Sequence, residues 1–162
     1  MEPPSKNERP DLRDLVLRKL ARREYSAMEI VRLALHKGYT MPEINRVVLE
    51  FESQRWLSDE RFAEAFARDK LSISRWSPGK VIAGLKAKGV DVKLARSVVE
   101  AIAPENPDEA IEAAVRRKVR TFRRFVEIPQ RKKKILEYLL RRGFDPEAVY
   151  RLSDRLLTIV SE

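Results

Sequence analysis

The stretch VIAGLKAKGVDVKLARSVVEAI, Val81 to Ile102, reads as two amphipathic helices hinged on Gly89. Val81, Ile82 and Leu85 recur at helical spacing before the glycine, and Ala95, Val98, Val99 and Ile102 do so after it. Between them, Val90 is apolar and Asp91 is a good N-cap for the second helix. Glycine suits the left-handed backbone turn that closes a helix, because it has no Cβ to clash there.

The same grammar occurs twice more. With Gly38, Gly89 and Gly143 aligned, Ile30, Val31 and Ala34 and then Ile135, Leu136 and Leu139 fall at the offsets of Val81, Ile82 and Leu85. Tyr39-Thr40 and Phe144-Asp145 match Val90-Asp91, and Ile44, Val47, Val48 and Phe51 and then Val149, Leu152 and Leu156 supply the second apolar stripes. A repeat of this kind decides the architecture. The glycines lie 51 and 54 residues apart, too far for a helix pair alone, so each repeat requires a third helix upstream. Asp11–Arg23, Asp59–Ile73 and Pro107–Val126 fit that place, entered by Pro10, Ser58 and Asn106-Pro107. Ser26 with Glu29 forms a capping box, while Ser77-Pro78 and Pro129 open further helices. The expected fold is all-α: three tandem three-helix modules, residues 11–57, 58–103 and 104–158, forming an elongated, curved helical repeat. A flexible N-terminus, 1–10, and a C-terminal tail, 159–162, flank them.

Composition agrees. Of 162 residues, 43% are hydrophobic and 36% charged, with only five glycines, which suits exposed helices better than tight β-turns. The absence of cysteine excludes disulfides and thiolate-ligated zinc, and one histidine leaves little for imidazole-based metal binding. No cofactor and no metal are expected. His36, at a helix end, reads as a partner of the helix dipole and not as a ligand. The polar, proline-bearing N-terminus has no apolar core segment and no run approaches spanning length, so a cytoplasmic, membrane-free location and a monomer are expected. A formal charge of +9 and a pI near 10.0 favour an anionic partner.

Within this basic chain, SDERFAEAF, Ser58 to Phe66, concentrates three carboxylates. Ser58 reads as an N-cap with Asp59 and Glu60 in the first helical turn, where the exposed N–H groups stabilise acid by about 0.3 to 1 kcal/mol each. Glu64 lies one turn on, away from Phe62 and Phe66. Nothing apolar surrounds the three to split their pKa values as acid/base catalysis requires. With no nucleophile and base pair and no phosphate loop, no catalytic residue is expected; Gly79-Lys80 fails as such a loop because Ser74 and Val81 occupy its diagnostic places.

Two basic groups stand out. Val115 to Lys134 holds Arg116, Arg117, Lys118, Arg120, Arg123, Arg124, Arg131, Lys132, Lys133 and Lys134 against Glu127 alone. On a continuous helix Ile111, Val115, Phe122 and Val126 would share an apolar stripe, with Arg116, Arg120, Arg123 and Arg124 projecting opposite. A solvated face is the bland explanation for isolated charges, but ten bases with one acid would repel one another without an anion. The second group is Arg68, Lys70, Arg75, Trp76, Lys80, Lys86 and Lys88. Trp76 could stack on a base, worth about 1 to 3 kcal/mol in single-strand binders, although a tryptophan at a helix start more often anchors packing. Trp56 is expected to fill the joint between the first two modules, and Phe62, Phe66, Phe122 and Phe125 to be core.

Leu57-Ser58-Asp59-Glu60-Arg61-Phe62-Ala63 resembles the L-D-D-x-R-F-A signature of the RecX family, regulators of the RecA recombinase. Arg23-Glu24-Tyr25-Ser26 and Lys37-Gly38 resemble that family's first module, and Leu85, Lys88-Gly89-Val90 and Gly143-Phe144 its second and third. Two positions depart: Ser77 stands where the family usually has glycine, and Gly84 where it usually has glutamate, at a helix cost of about 1 kcal/mol against alanine. The resemblance, over about residues 12 to 156, implies a non-enzymatic modulator. It would bind RecA filaments on single-stranded DNA, with double-stranded DNA as a further partner, and hinder ATP hydrolysis and strand exchange. The expected contacts to DNA or filament are Arg75, Trp76, Lys80, Lys86 and Lys88 with Arg116, Arg117, Arg120, Arg123, Arg124, Arg131, Lys132, Lys133 and Lys134. The alternative is a sequence-nonspecific DNA-binding helical repeat acting without RecA, since the second helices, such as DVKLARSVVEAI, are poor in the Asn, Gln and Arg that read bases.

Overall fold

The structure, a computed structural model, describes residues 9–162; the first eight residues of the expected flexible N-terminus lie outside the described residues. Eleven α-helices and one π-helical turn follow, with no strand among the described residues. They are α1 (Leu12–Leu20), α2 (Ala27–His36), α3 (Met41–Ser53), α4 (Asp59–Arg68) with the π turn Asp69–Ile73, α5 (Pro78–Ala87) and α6 (Val92–Ile102). The last third holds α7 (Pro107–Arg116), α8 (Val119–Phe122), α9 (Ile128–Arg141), α10 (Pro146–Arg151) and α11 (Ser153–Ser161).

The three hinge glycines all adopt the left-handed conformation, with φ of 82°, 83° and 82° at Gly38, Gly89 and Gly143. Each closes a Schellman motif. The N–H two places beyond the helix's C-cap reaches back to the same carbonyl in every repeat: Tyr39 to Ala34 at 3.1 Å, Val90 to Leu85 at 3.1 Å and Phe144 to Leu139 at 3.3 Å. The side chains of Tyr39, Val90 and Phe144 are buried, which fixes the angle at which the next helix leaves. The N-caps are equally regular. Ser26 and Thr40 form capping boxes, and Asp11, Asp91, Asn106 and Asp145 each accept a first-turn N–H.

The described residues pack as two compact units, the chain up to Phe66 with Gly84–Val98, and Ala67–Ala83 with Val99–Glu162. The core of the first includes Leu12, Val16, Ile30, Ala34, Ile44 and Phe51; that of the second includes Ile111, Val115, Phe122, Ile135, Leu139, Val149 and Leu156. The apolar stripes of the repeat are largely buried, Val81, Leu85, Ala95 and Val99 of the middle one included, with Val31, Val48, Ile82, Ile102 and Leu136 half-buried at their edges.

The upstream helices depart from the expected outlines. The first ends at Leu20, three residues before Arg23, and the second widens into the π turn over its last five residues. The third is not one helix. After Arg116 the ladder tightens, with the Lys118 N–H bonded to the Val115 carbonyl at 2.8 Å, and the chain restarts as α8. Phe122 thereby meets Tyr138 edge to face, with ring centres 5.5 Å apart. Val126, expected in the apolar stripe, is instead 79% exposed. The segment 159–162 is helical to Ser161 rather than a loose tail, with Val160 fully buried. Trp56 is half exposed and packs edge-on against Phe51, and Phe66 and Phe125 are only partly buried, unlike Phe62 and Phe122.

A candidate interface for an anionic partner

The basic run from Arg116 to Lys134 is carried by the end of α7, by α8 and by the first turns of α9. Acids from outside the run neutralise part of it. Glu112, 4% exposed, accepts from Arg116 at 3.0 Å and from Arg155 of α11 at 2.7 Å. Lys132 pairs with Asp154 at 2.8 Å and Lys134 with Glu137 at 3.0 Å. The expectation of ten uncompensated bases is corrected to that extent. Two more arginines are committed to backbone: Arg123 Nε donates to the Val160 carbonyl and Arg131 Nε to the Phe125 carbonyl, each at 2.9 Å. Arg117, Lys118, Arg120, Arg124 and Lys133 are exposed and make no ion pair among the described residues. These five form the part of the run left open to an anion.

In the other group, Arg75 and Trp76 follow the π turn and Lys80 lies in the first turn of α5. Arg75 holds φ at 54°, strained for a residue with a Cβ, and its Nε is buried without a partner. The Trp76 ring has the Lys70 ammonium 5.3 Å and the Lys80 ammonium 4.8 Å from its centre, while Lys80 also donates to the Arg141 carbonyl. The indole is thus held in a cationic setting with its neighbours already engaged. Lys88 belongs to a different set: its ammonium meets Glu29 at 2.7 Å, and its carbonyl accepts from Ser26 Oγ at 2.6 Å. Lys86 is exposed.

The acidic stretch at the start of α4 is a fastening. Asp59 Oδ1 accepts the Ala27 N–H at 2.8 Å, so it caps the N-terminus of α2 as well as opening its own helix. Arg61 pairs with Glu24 at 3.0 Å and donates to the Trp56 carbonyl at 3.2 Å. Leu57, Phe62 and Ala63 are buried beneath. The place of Asp59 at a helix start is legible in the sequence; its second partner, 32 residues away, is not. No group of three or more His, Asp or Glu side chains able to hold a metal occurs among the described residues, and no helix of the described residues is long and apolar enough to cross a membrane.

Comparisons with known proteins agree with this arrangement. Residues 58–99 match the model of the RecX second three-helix domain, and residues 106–152 that of the third. The regulatory protein RecX of Legionella pneumophila is 31% identical over 141 residues, covering 84% of this chain and 88% of that protein. That of Chromohalobacter salexigens is 34% identical over 137 residues, covering 85% and 87%. Among solved structures, a crystal structure of RecX from Lactobacillus salivarius superposes with a TM-score of 0.68 over 90% of this chain and 94% of that one, at 17% identity. A second RecX crystal structure gives a TM-score of 0.71 over 88% and 71%, also at 17% identity. Two domain models in order, relatives above 30% identity along most of their length, and a shared helical repeat place the chain in the RecX family.

Proposed function

We propose that the chain regulates homologous recombination by binding RecA filaments on single-stranded DNA and hindering their ATP hydrolysis and strand exchange. Membership of a family whose relatives are named regulatory proteins carries this reading. The open cations Arg117, Lys118, Arg120, Arg124 and Lys133 supply the physical means, since they can meet phosphates or carboxylates without first breaking an internal pair. Arg75, Trp76 and Lys80 form a second contact region, and Lys86 is a separate contact. Arg116, Arg123, Arg131, Lys132 and Lys134 support the first from positions tied to the fold, and Lys88 acts through its pair with Glu29.

In this reading the chain works as a monomer in the cytoplasm, without cofactor or bond-making chemistry. Its three modules, residues 11–57, 58–103 and 104–158, present successive surfaces to neighbouring protomers, as repeat proteins do. The test is titration of RecA ATPase on single-stranded DNA, beside binding to bare DNA at several ionic strengths. Inhibition at protein concentrations that leave bare DNA unoccupied is expected. Equal effects on unrelated DNA enzymes would favour the alternative, a DNA-binding repeat protein acting without RecA.

A further inference from the structure

The connection between α8 and α9, Arg123 to Glu127, presents an apolar tip within the basic run. Val126 is 79% exposed and Ile128, the first residue of α9, is 63% exposed. Single exposed aliphatics are ordinary on protein surfaces, but two of them within three residues, at such exposure, form a patch that water does not favour.

The tip is braced. Arg131 reaches back from α9 to the Phe125 carbonyl at 2.9 Å and to Ser161 Oγ at 3.3 Å, while Arg123 fastens the other side to the Val160 carbonyl at 2.9 Å. Both guanidiniums thereby hold the connection to the end of α11. β-Branched Val126 and Ile128 are stiff at χ1, so the patch is presented with little conformational freedom to lose on binding.

Its surroundings are cationic. From Arg123 to Lys134 six bases stand against Glu127. Lys132 and Lys134 are satisfied by Asp154 and Glu137, whereas Arg124 and Lys133 are exposed without an ion pair among the described residues. Aliphatic side chains have no π-face on which a nucleobase could stack, which is how single strands are held without sequence preference. Apolar contacts in a segment where bases outnumber the one acid, Glu127 between Val126 and Ile128, fit a protein partner whose own apolar side chains sit among carboxylates.

From this we infer that Val126 and Ile128, in the segment that also carries the open cations Arg124 and Lys133, form a docking tip for an acidic, aliphatic-bearing segment of a protein partner. The inference rests on the proposed regulatory function for the partner's identity, with the recombinase as that partner. It leaves phosphate contact to other cations of the run.

The test uses the full chain and a fluorescein-labelled peptide, Asp-Glu-Leu-Glu-Leu-Asp-Glu-Leu, its twin with serine for every leucine, and labelled oligo-dT. Anisotropy titrations compare wild type with Val126→Ser/Ile128→Ser, two exposed positions whose change leaves the thermal midpoint in place. Wild type prefers the leucine peptide over its twin by about tenfold, the double variant loses that preference, and oligo-dT binding changes less than about twofold. The inference is overturned if wild type shows no preference, if the variant retains it, or if oligo-dT binding falls with peptide binding, which would make the tip a nucleic-acid contact. Inhibition of RecA ATPase is measured on the same two proteins. A wild type that prefers the leucine peptide but fails to inhibit refutes the recombinase reading while sustaining the docking tip.

Discussion

Asp59 shows how one carboxylate can serve two helices. Its position after Ser58 opens α4, and its Oδ1 accepts the Ala27 N–H at the start of α2, so a residue in a recognisable motif acts as a fastening and not as an acid or base. Asp59→Ala should cost about 1 kcal/mol in urea unfolding, and Asp59→Asn, which keeps an acceptor oxygen, should recover most of it. Equal loss in both variants would mean that charge, and not the hydrogen bond, is what matters. Arg55 and Arg75 make the opposite point. With φ of 57° and 54° they occupy left-handed positions at helix ends, each directly before a tryptophan, where the repeat elsewhere uses glycine. Arg55→Gly and Arg75→Gly should each raise stability by about 0.5 to 1 kcal/mol by relieving that strain. A loss on either substitution would show that the arginine side chain contributes more than its backbone costs. Neither strained arginine was legible in the sequence, because a side chain forced into a left-handed turn carries no compositional mark, whereas Gly38, Gly89 and Gly143 announce theirs.

At the scale of elements, legibility followed locality. Helix pairs hinged on glycine and their N-caps depend on residues within about four places of one another, and those expectations agree with the structure at Ser26, Thr40, Asp91 and Asp145. The break between α7 and α8 has no glycine or proline to signal it and accompanies packing of Phe122 against Tyr138, sixteen residues on in the chain. In the basic run, of the pairs made by Arg116, Lys132 and Lys134, only that of Lys132 is long-range, with Asp154 22 residues on; Glu112 and Glu137 lie within four places of Arg116 and Lys134 and fall just outside the run itself. Glu29 is a further long-range knot. Burial, to 11% side-chain exposure, pushes its carboxyl upward, but hydrogen bonds from Arg23 at 3.0 Å and Lys88 at 2.7 Å outweigh this and hold it below its ordinary value of 4.5. A carboxyl depressed in the folded state contributes stability above its unfolded value and loses it as pH falls through the folded one. Glu29→Gln should therefore cost about 1 to 2 kcal/mol between about pH 6 and 9, and the gap to wild type should close as pH drops below 4.5. A gap that persists in acid would assign the cost to packing.

Over the whole molecule a charge of +9 draws anions in general, so what distinguishes a phosphate contact is which cations are free to make it. An ammonium that already faces a carboxylate gains little from a phosphate, because one pair is exchanged for another and few counterions are released. Arg117 and Arg120 have no such pair among the described residues, whereas Lys132 and Lys134 face Asp154 and Glu137. Binding to bare single-stranded DNA should weaken with salt by about 0.7 log units per log unit of salt for each phosphate neutralised. Arg117→Gln/Arg120→Gln should then flatten the slope by about 1.4, and Lys132→Gln/Lys134→Gln by less than half as much. The measurement is a set of titrations from about 50 to 200 mM salt with each double variant. Equal flattening by both would show that internal pairing does not select the contact residues, and a slope unchanged by either would remove this face from DNA binding, leaving its cations to the protein partner alone.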